Sequence, residues 1–98
     1  MPYAKIDTAA ATLEVVAAVS GKKIRVHNYA LASTGTTQVT WKSGSTAISG
    51  PMGMVAGSTL NGDTDEDGGL ETAAGEALNL ANAQAVQIGG HLRYTLES

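Results

Sequence analysis

The residues with the most evident chemistry form an acidic run in the second half of the chain. Residues 63–68 read Asp-Thr-Asp-Glu-Asp-Gly, which matches the first six positions of a calcium-binding loop. Alternate carboxylates in such a loop converge on one cation, so Asp63, Asp65 and Asp67 are the candidate metal ligands. The twelfth position, a bidentate glutamate in such loops, is Ala74 here, and no helix is clearly predicted on either side.

The same acidic run also has a structural explanation. Asp and Gly are common in turns between strands because they tolerate turn geometry and bond their own backbone. A solvated acidic loop is therefore the simpler interpretation, and Ca²⁺ is the alternative and the one cofactor that the sequence suggests. A third interpretation is a loop that meets a basic patch on a partner, because closely spaced carboxylates repel one another until a partner neutralises them.

The sequence carries no recognisable catalytic motif. It contains no cysteine, and neither of its two histidines, His27 and His91, lies in a metal-binding or catalytic pattern. It also contains no nucleophile elbow and no phosphate-binding glycine loop. We therefore predict that the protein is not an enzyme and that both histidines are solvated or interfacial.

Composition predicts one thin-cored domain over residues 1–98. The 98 residues include one Trp, three Tyr and no Phe, so Val, Ile, Leu and Ala must fill the core. Small domains often gain stability from a disulfide, a metal or an oligomer; without cysteine, self-association is the leading expectation. The net charge of −3 and scattered basic residues argue against nucleic acid, and no apolar run reaches the length of a membrane span.

Hydrophobic periodicity predicts an all-β chain. Apolar and polar residues alternate over Val86–Leu96 and over Thr37–Lys42, the period of a strand with one buried face. Turn signals every eight to twelve residues favour a compact antiparallel β-sandwich, or a barrel. Asp7–Ser20 and Ala73–Ala85 also contain helix-forming patterns, so a helix is the alternative to a strand in each.

Two features predict surfaces that bind other protein. The predicted strand over Lys23–Ala32 becomes apolar on both faces in its second half, where Tyr29 and Leu31 alternate with alanines. A strand that is apolar on both faces is covered on both faces, here by a neighbouring subunit. Pro2 and Tyr3 lie in a segment, residues 1–7, that is either an arm ordered on docking or an ordinary frayed terminus. These four residues are the candidate interface residues.

Several segments resemble small virion proteins of tailed phages. They are Gly75–Leu80 and Ala85–Tyr94 in the C-terminal part, and Gly21–Val26, Val39–Gly44 and Ile48–Met52 before them. Proteins of this kind form jelly-roll β-sandwiches, and several are decoration or cement proteins on the outside of capsids. The resemblance implies a structural virion protein without an active site.

The resemblance also implies partners and a place of action. They are the major capsid protein and further copies of the chain, with a homotrimer favoured over a dimer, on a capsid assembled in the host cytoplasm. The alternative function is a small adhesion or carbohydrate-binding module of a phage tail or fibre. That function would use Trp41 or the acidic run, but Trp41 shares its parity with Val39, which predicts burial.

Overall fold

The computed structural model describes residues 3–63 and 70–98, with the side chain of residue 63 left out, and these residues form two packed antiparallel sheets. The described strands are β1 (Tyr3–Thr8), β2 (Thr12–Val16), β3 (Lys23–Ser33), β4 (Thr37–Ser43), β5 (Thr46–Ala47), β6 (Met52–Met54), β7 (Thr59–Asp63), β8 (Leu78–Asn82) and β9 (Ile88–Glu97). The β-sandwich predicted from turn spacing and periodicity is thus confirmed.

The strand order has jelly-roll character. Sheet A runs β1-β9-β3-β7, and sheet B runs β2-β8-β4-β5, with β6 also paired to β4. The first strand pairs with the last, β2 with β8, β3 with β7 and β4 with β6, as in one long hairpin. Rolling this hairpin up adds the β3–β9 and β4–β8 pairings that complete the sheets.

Strand β9 lies in the middle of sheet A, between β1 and β3, and follows its predicted alternation. Ile88 and Leu92 are fully buried, and Tyr94 is half-buried, whereas His91 and Arg93 face outward and are exposed. The even-numbered positions face sheet B because successive side chains of a strand point to opposite faces. The alternation weakens only at the end of the strand, where Leu96 is 42% exposed.

A β-bulge explains the two-sided apolar pattern of β3. Ile24 and Val26 are buried before it, and Leu31 and Ser33 are buried after it. The register against β9 shifts between Val26 and Asn28, so the inward parity changes from even to odd. Apolar residues occur at both even and odd positions of β3 because the bulge changes which positions point inward. The expectation that both faces of this strand are covered is therefore wrong.

The two segments with alternative helical patterns each contain a strand. In Asp7–Ser20, β2 carries Val16 into the core; in Ala73–Ala85, β8 buries Leu78 and Leu80 at a spacing of two. That spacing suits a strand and not one face of a helix. β2 also contains a register shift, between Glu14 and Val16, which blurs its alternation in the sequence.

The expected N-terminal arm is corrected by the structure for residues 3–7. They belong to β1, whose six residues pair with β9 in an unbroken register. Ile6 is 1% exposed and Ala4 packs against the core, so burial as well as the ladder holds this strand. Burying a side chain of the size of Ile6 contributes roughly 1.5–3 kcal/mol toward holding this strand on the sheet.

The core lies between the sheets, with Trp41 at 1% exposure. The Tyr29 ring meets the Trp41 indole edge-on, with centroids 5.2 Å apart. A buried polar cluster lies at one end of sheet B: Thr37 Oγ1 donates to Asn82 Oδ1 at 2.6 Å, and Asn82 Nδ2 donates to the carbonyl of Val86 at 2.7 Å. The fully or nearly buried apolar residues are Ile6, Val16, Ile24, Val26, Leu31, Val39, Trp41, Met54, Leu78, Leu80, Ile88 and Leu92.

Candidate interaction surface

The predicted calcium ligands lie mostly outside the described residues. Asp63 is the last residue of β7 and pairs through its backbone with Asn28, while Asp65 and Asp67 are outside the described ranges. Among the residues that the structure describes, no group of three or more His, Asp or Glu side chains is placed to hold a metal ion. Calcium binding by the acidic run stays a prediction.

The interface prediction at Tyr29 and Leu31 is corrected. Leu31 is 2% exposed and belongs to the core, and Tyr29 is partly buried, with its ring packed inward against Trp41. The cause is the β-bulge of β3, which turns both side chains toward sheet B. Tyr3, by contrast, is 62% exposed on β1, and Pro2 is outside the described residues.

The predicted burial of Trp41 is confirmed, and this bears on sugar binding. A carbohydrate platform needs an aromatic face that is open to solvent, whereas the Trp41 side chain lies between the sheets. Its Nε1 has no hydrogen-bond acceptor among the described residues, and its aromatic neighbour is Tyr29. The indole therefore stabilises the core by packing and offers no surface to a ligand.

The outward-facing side of sheet A has a centre of very small residues. Here Ala30 lies beside His91 of β9, and Ala32 lies beside Gly89. On the other flank Ala30 lies beside Asn61 of β7. These short side chains leave a shallow depression of about 270 Å³. We call this surface the outer face of sheet A.

Charged side chains border this centre on the β1 flank and farther along β9 and β3, without entering it. Lys5 and Asp7 of β1 point outward on one flank, and Arg93 of β9 points outward beyond His91. Towards the start of β3, Lys23 approaches Glu71 with Nζ 3.7 Å from Oε1. A charge-depleted centre inside a charged rim is the arrangement that protein interfaces share.

The outer face of sheet B differs from this surface. The outward positions of its central strands β4 and β8 include Gln38, Thr40, Lys42 and Ala81, and the edge strand β2 carries Glu14. Polar or charged side chains predominate at these positions, and Ala81 is the small residue among those named. This face is the more ordinary solvated surface of the two.

Both histidines have identifiable neighbours. The His91 ring stacks on the exposed Tyr3 ring, with centroids 5.7 Å apart and an angle of 25° between the planes. His27 lies at the bulge, where its Nε2 is 2.9 Å from Thr95 Oγ1. The stack joins the exposed aromatic ring of β1 to the outer face of sheet A.

Sequence reasoning missed Lys5 and Asp7 as surface determinants. Ala4, Ile6 and Thr8 alternate with polar residues, and this alternation was the available signal for an edge strand. It spans only six residues, so it is short beside the alternation of β9.

The described residues contain no helix with the length and apolarity that a membrane crossing requires. Comparison of the chain with protein-family models, with curated proteins and with solved structures gives no match.

Proposed function

We propose that the chain is a structural virion protein that decorates and stabilises the outer surface of a tailed-phage capsid as a homo-oligomer. The observation that carries the proposal is the outer face of sheet A. Its centre of Ala30, Ala32 and Gly89 is free of charge, and Lys5, Asp7 and Arg93 border it on the β1 side and along β9.

The small residues suit docking by close approach. Alanine and glycine project little beyond the backbone, so a partner strand or loop can approach the sheet without displacing long side chains. Such side chains also lose little rotamer entropy when they are covered. The surrounding charges then fix orientation, because rim charges affect partner choice and association rate more than affinity.

Attachment to a capsid turns modest contacts into stable binding. A shell offers many identical sites, and an oligomer that spans several of them binds the second site as an intramolecular event. The cysteine-free, thin-cored domain needs no strong single contact under this arrangement. The sequence resemblance and the small, uncharged centre of the outer face of sheet A therefore both support the proposal.

The carbohydrate-binding alternative loses one of its two candidate features. Trp41 is in the core, and the described surface presents Tyr3 as its most exposed aromatic side chain, stacked on His91. The acidic run stays as its other feature. The capsid proposal is therefore the one we carry forward.

The test is binding to capsids of the phage whose genome encodes the chain, assembled without this protein. Purified chain is added, capsids are pelleted, and bound chain is measured until saturation. We expect saturable binding that Ala30→Glu abolishes. Ala81→Glu is the matched control, because Ala81 occupies an outward position on a central strand of sheet B. Absence of saturable binding by the unmodified chain would overturn the proposal, as would equal loss of binding in both variants.

A further inference from the structure

Strand β1 is a regular edge of sheet A that pairs on one side only among the described residues. Its six residues pair with β9 on one side without a bulge, and β1 ends the strand order. No backbone hydrogen bond joins its other side to the rest of the described chain. Proteins protect such edges with a bulge, a proline, charged side chains or a very short strand, because a free edge is a template for pairing. Of these devices β1 has only its charges, Lys5 and Asp7, which are of opposite sign.

The other edge strands are shorter than β1, and one of them is irregular. β2 has a register shift between Glu14 and Val16, and β5 and β6 have two and three residues. β7, the far edge of sheet A, has five residues. β1 is thus the longest regular edge among the described strands.

We propose that two copies of the chain pair through their β1 strands, antiparallel, about a two-fold axis that lies between Ile6 and the partner's Ile6. The axis is perpendicular to the sheet, so both copies keep sheet B on the same side and sheet A continues across the dimer. This inference rests on the homo-oligomer of the proposed function, but it does not depend on the capsid.

The register follows from parity and charge. In an antiparallel pair of identical strands, directly opposite residues point to the same face of the sheet, because side chains alternate with period two. The two-fold axis must therefore lie between one residue and the same residue of the partner copy, and the choice of that residue sets the register. An axis at Lys5 places Lys5 opposite the partner's Lys5, and an axis at Asp7 places Asp7 opposite the partner's Asp7. An axis at Ile6 places Lys5 opposite the partner's Asp7, and it does so twice.

The two charges are available for this pairing. Lys5 lies beside His91 of β9, and among the described residues no carboxylate oxygen lies within 4.0 Å of its ammonium group. Asp7 lies beside Gly89, and its Oδ1 accepts a hydrogen bond from Gln87 Nε2 at 2.6 Å, but no described lysine or arginine reaches it. Opposite charges directly across a strand pair stabilise it, and like charges destabilise it.

Charge reversal at these two positions tests the pairing. Sedimentation velocity of the unmodified chain, from micromolar to millimolar concentration, should show a monomer–dimer equilibrium. Lys5→Glu alone and Asp7→Lys alone should each raise the dimer Kd at least about tenfold, because two attractive pairs become repulsive. An equimolar mixture of the two variants should recover the dimer, since all four facing charges are then opposite in sign. Lys42→Glu, the same charge change on sheet B, should leave the Kd unchanged.

Recovery in the mixture also shows that both variants fold. A trimer, or a dimer that neither reversal weakens, would overturn the β1 pairing while the capsid proposal stands. A strict monomer would overturn both the pairing and the homo-oligomer. A charge-sensitive dimer that does not bind capsids would support the pairing and overturn the proposed function.

Discussion

Alanine at position 90 should destabilise the fold far more than alanine at position 89. The two glycines are neighbours in β9, where Gly90 pairs with Ile6 on one side and Leu31 on the other. A Cβ on Gly90 would lie 1.9 Å from the carbonyl oxygen of Ala30 and 3.1 Å from the Cα of Leu31. A Cβ on Gly89 would have no heavy atom within 4 Å.

The cost at position 90 has two parts. The contact to Ala30 is with backbone, so no side chain can rotate away, and a whole strand must move by more than an ångström to restore ordinary contact. Overpacking of this kind costs about 1–3 kcal/mol. Gly90 also has φ near +155°, a conformation that costs other residues about 1–3 kcal/mol. We expect Gly90→Ala to lose about 2–6 kcal/mol of the roughly 5–15 kcal/mol that stabilises a typical domain.

Urea unfolding followed by fluorescence measures this difference, because Trp41 is the single tryptophan and is buried. Gly89→Ala should change the unfolding free energy by less than about 1 kcal/mol, and in the stabilising direction if its backbone is compatible. Heat gives a second readout: Gly90→Ala should lower the Tm by at least about 10 °C. If the two variants unfold at the same urea concentration, the close approach of β9 to β3 is wrong.

Three further substitutions test other parts of the fold by the same urea assay. Gly62→Ala should cost about 1–3 kcal/mol, because a Cβ there would lie 2.2 Å from the Tyr29 ring, and an unchanged midpoint would contradict that packing. Ala85→Gly should stabilise by up to about 1 kcal/mol, since Ala85 has φ +52°, and a lower midpoint would refute the left-handed conformation. Asn82→Ala should cost about 2–4 kcal/mol, because it leaves a cavity and takes the acceptor from the buried Thr37 hydroxyl; a loss below about 1 kcal/mol would argue against that hydrogen bond.

Where one strand keeps one parity, the sequence predicted the fold well. In β9, the even-numbered residues from Ile88 to Tyr94 all point inward and the residues between them point outward. In β4, Val39 and Trp41 point inward in the same way. Such patterns predict which face is buried because a strand places every second side chain on one side. The candidate core residue Trp41 followed directly from its parity.

The failures have a common physical cause, which is pairing between distant segments. β1 contacts β9 across more than eighty residues, and its own six residues carry too short a pattern to reveal that partner. The bulge in β3 likewise depends on the strand beside it, so Tyr29 and Leu31 were placed on the wrong face. Local sequence specifies a strand, whereas a shift of inward face is fixed only when the neighbouring register is known.

The free edge of β1 follows from the strand order itself. In a rolled hairpin, each strand pairs with its hairpin partner on one side. A second neighbour is added only where rolling places another strand beside it, as it places β3 beside β9 and β4 beside β8. β1 and β2 are the outer strands of the two sheets, and the described chain supplies neither with a second neighbour. β2 carries the bulge that disrupts edge pairing, but β1 is regular and presents a lysine and an aspartate two residues apart. This regular edge and its two charges are the observations from which we propose pairing with a second copy of the chain.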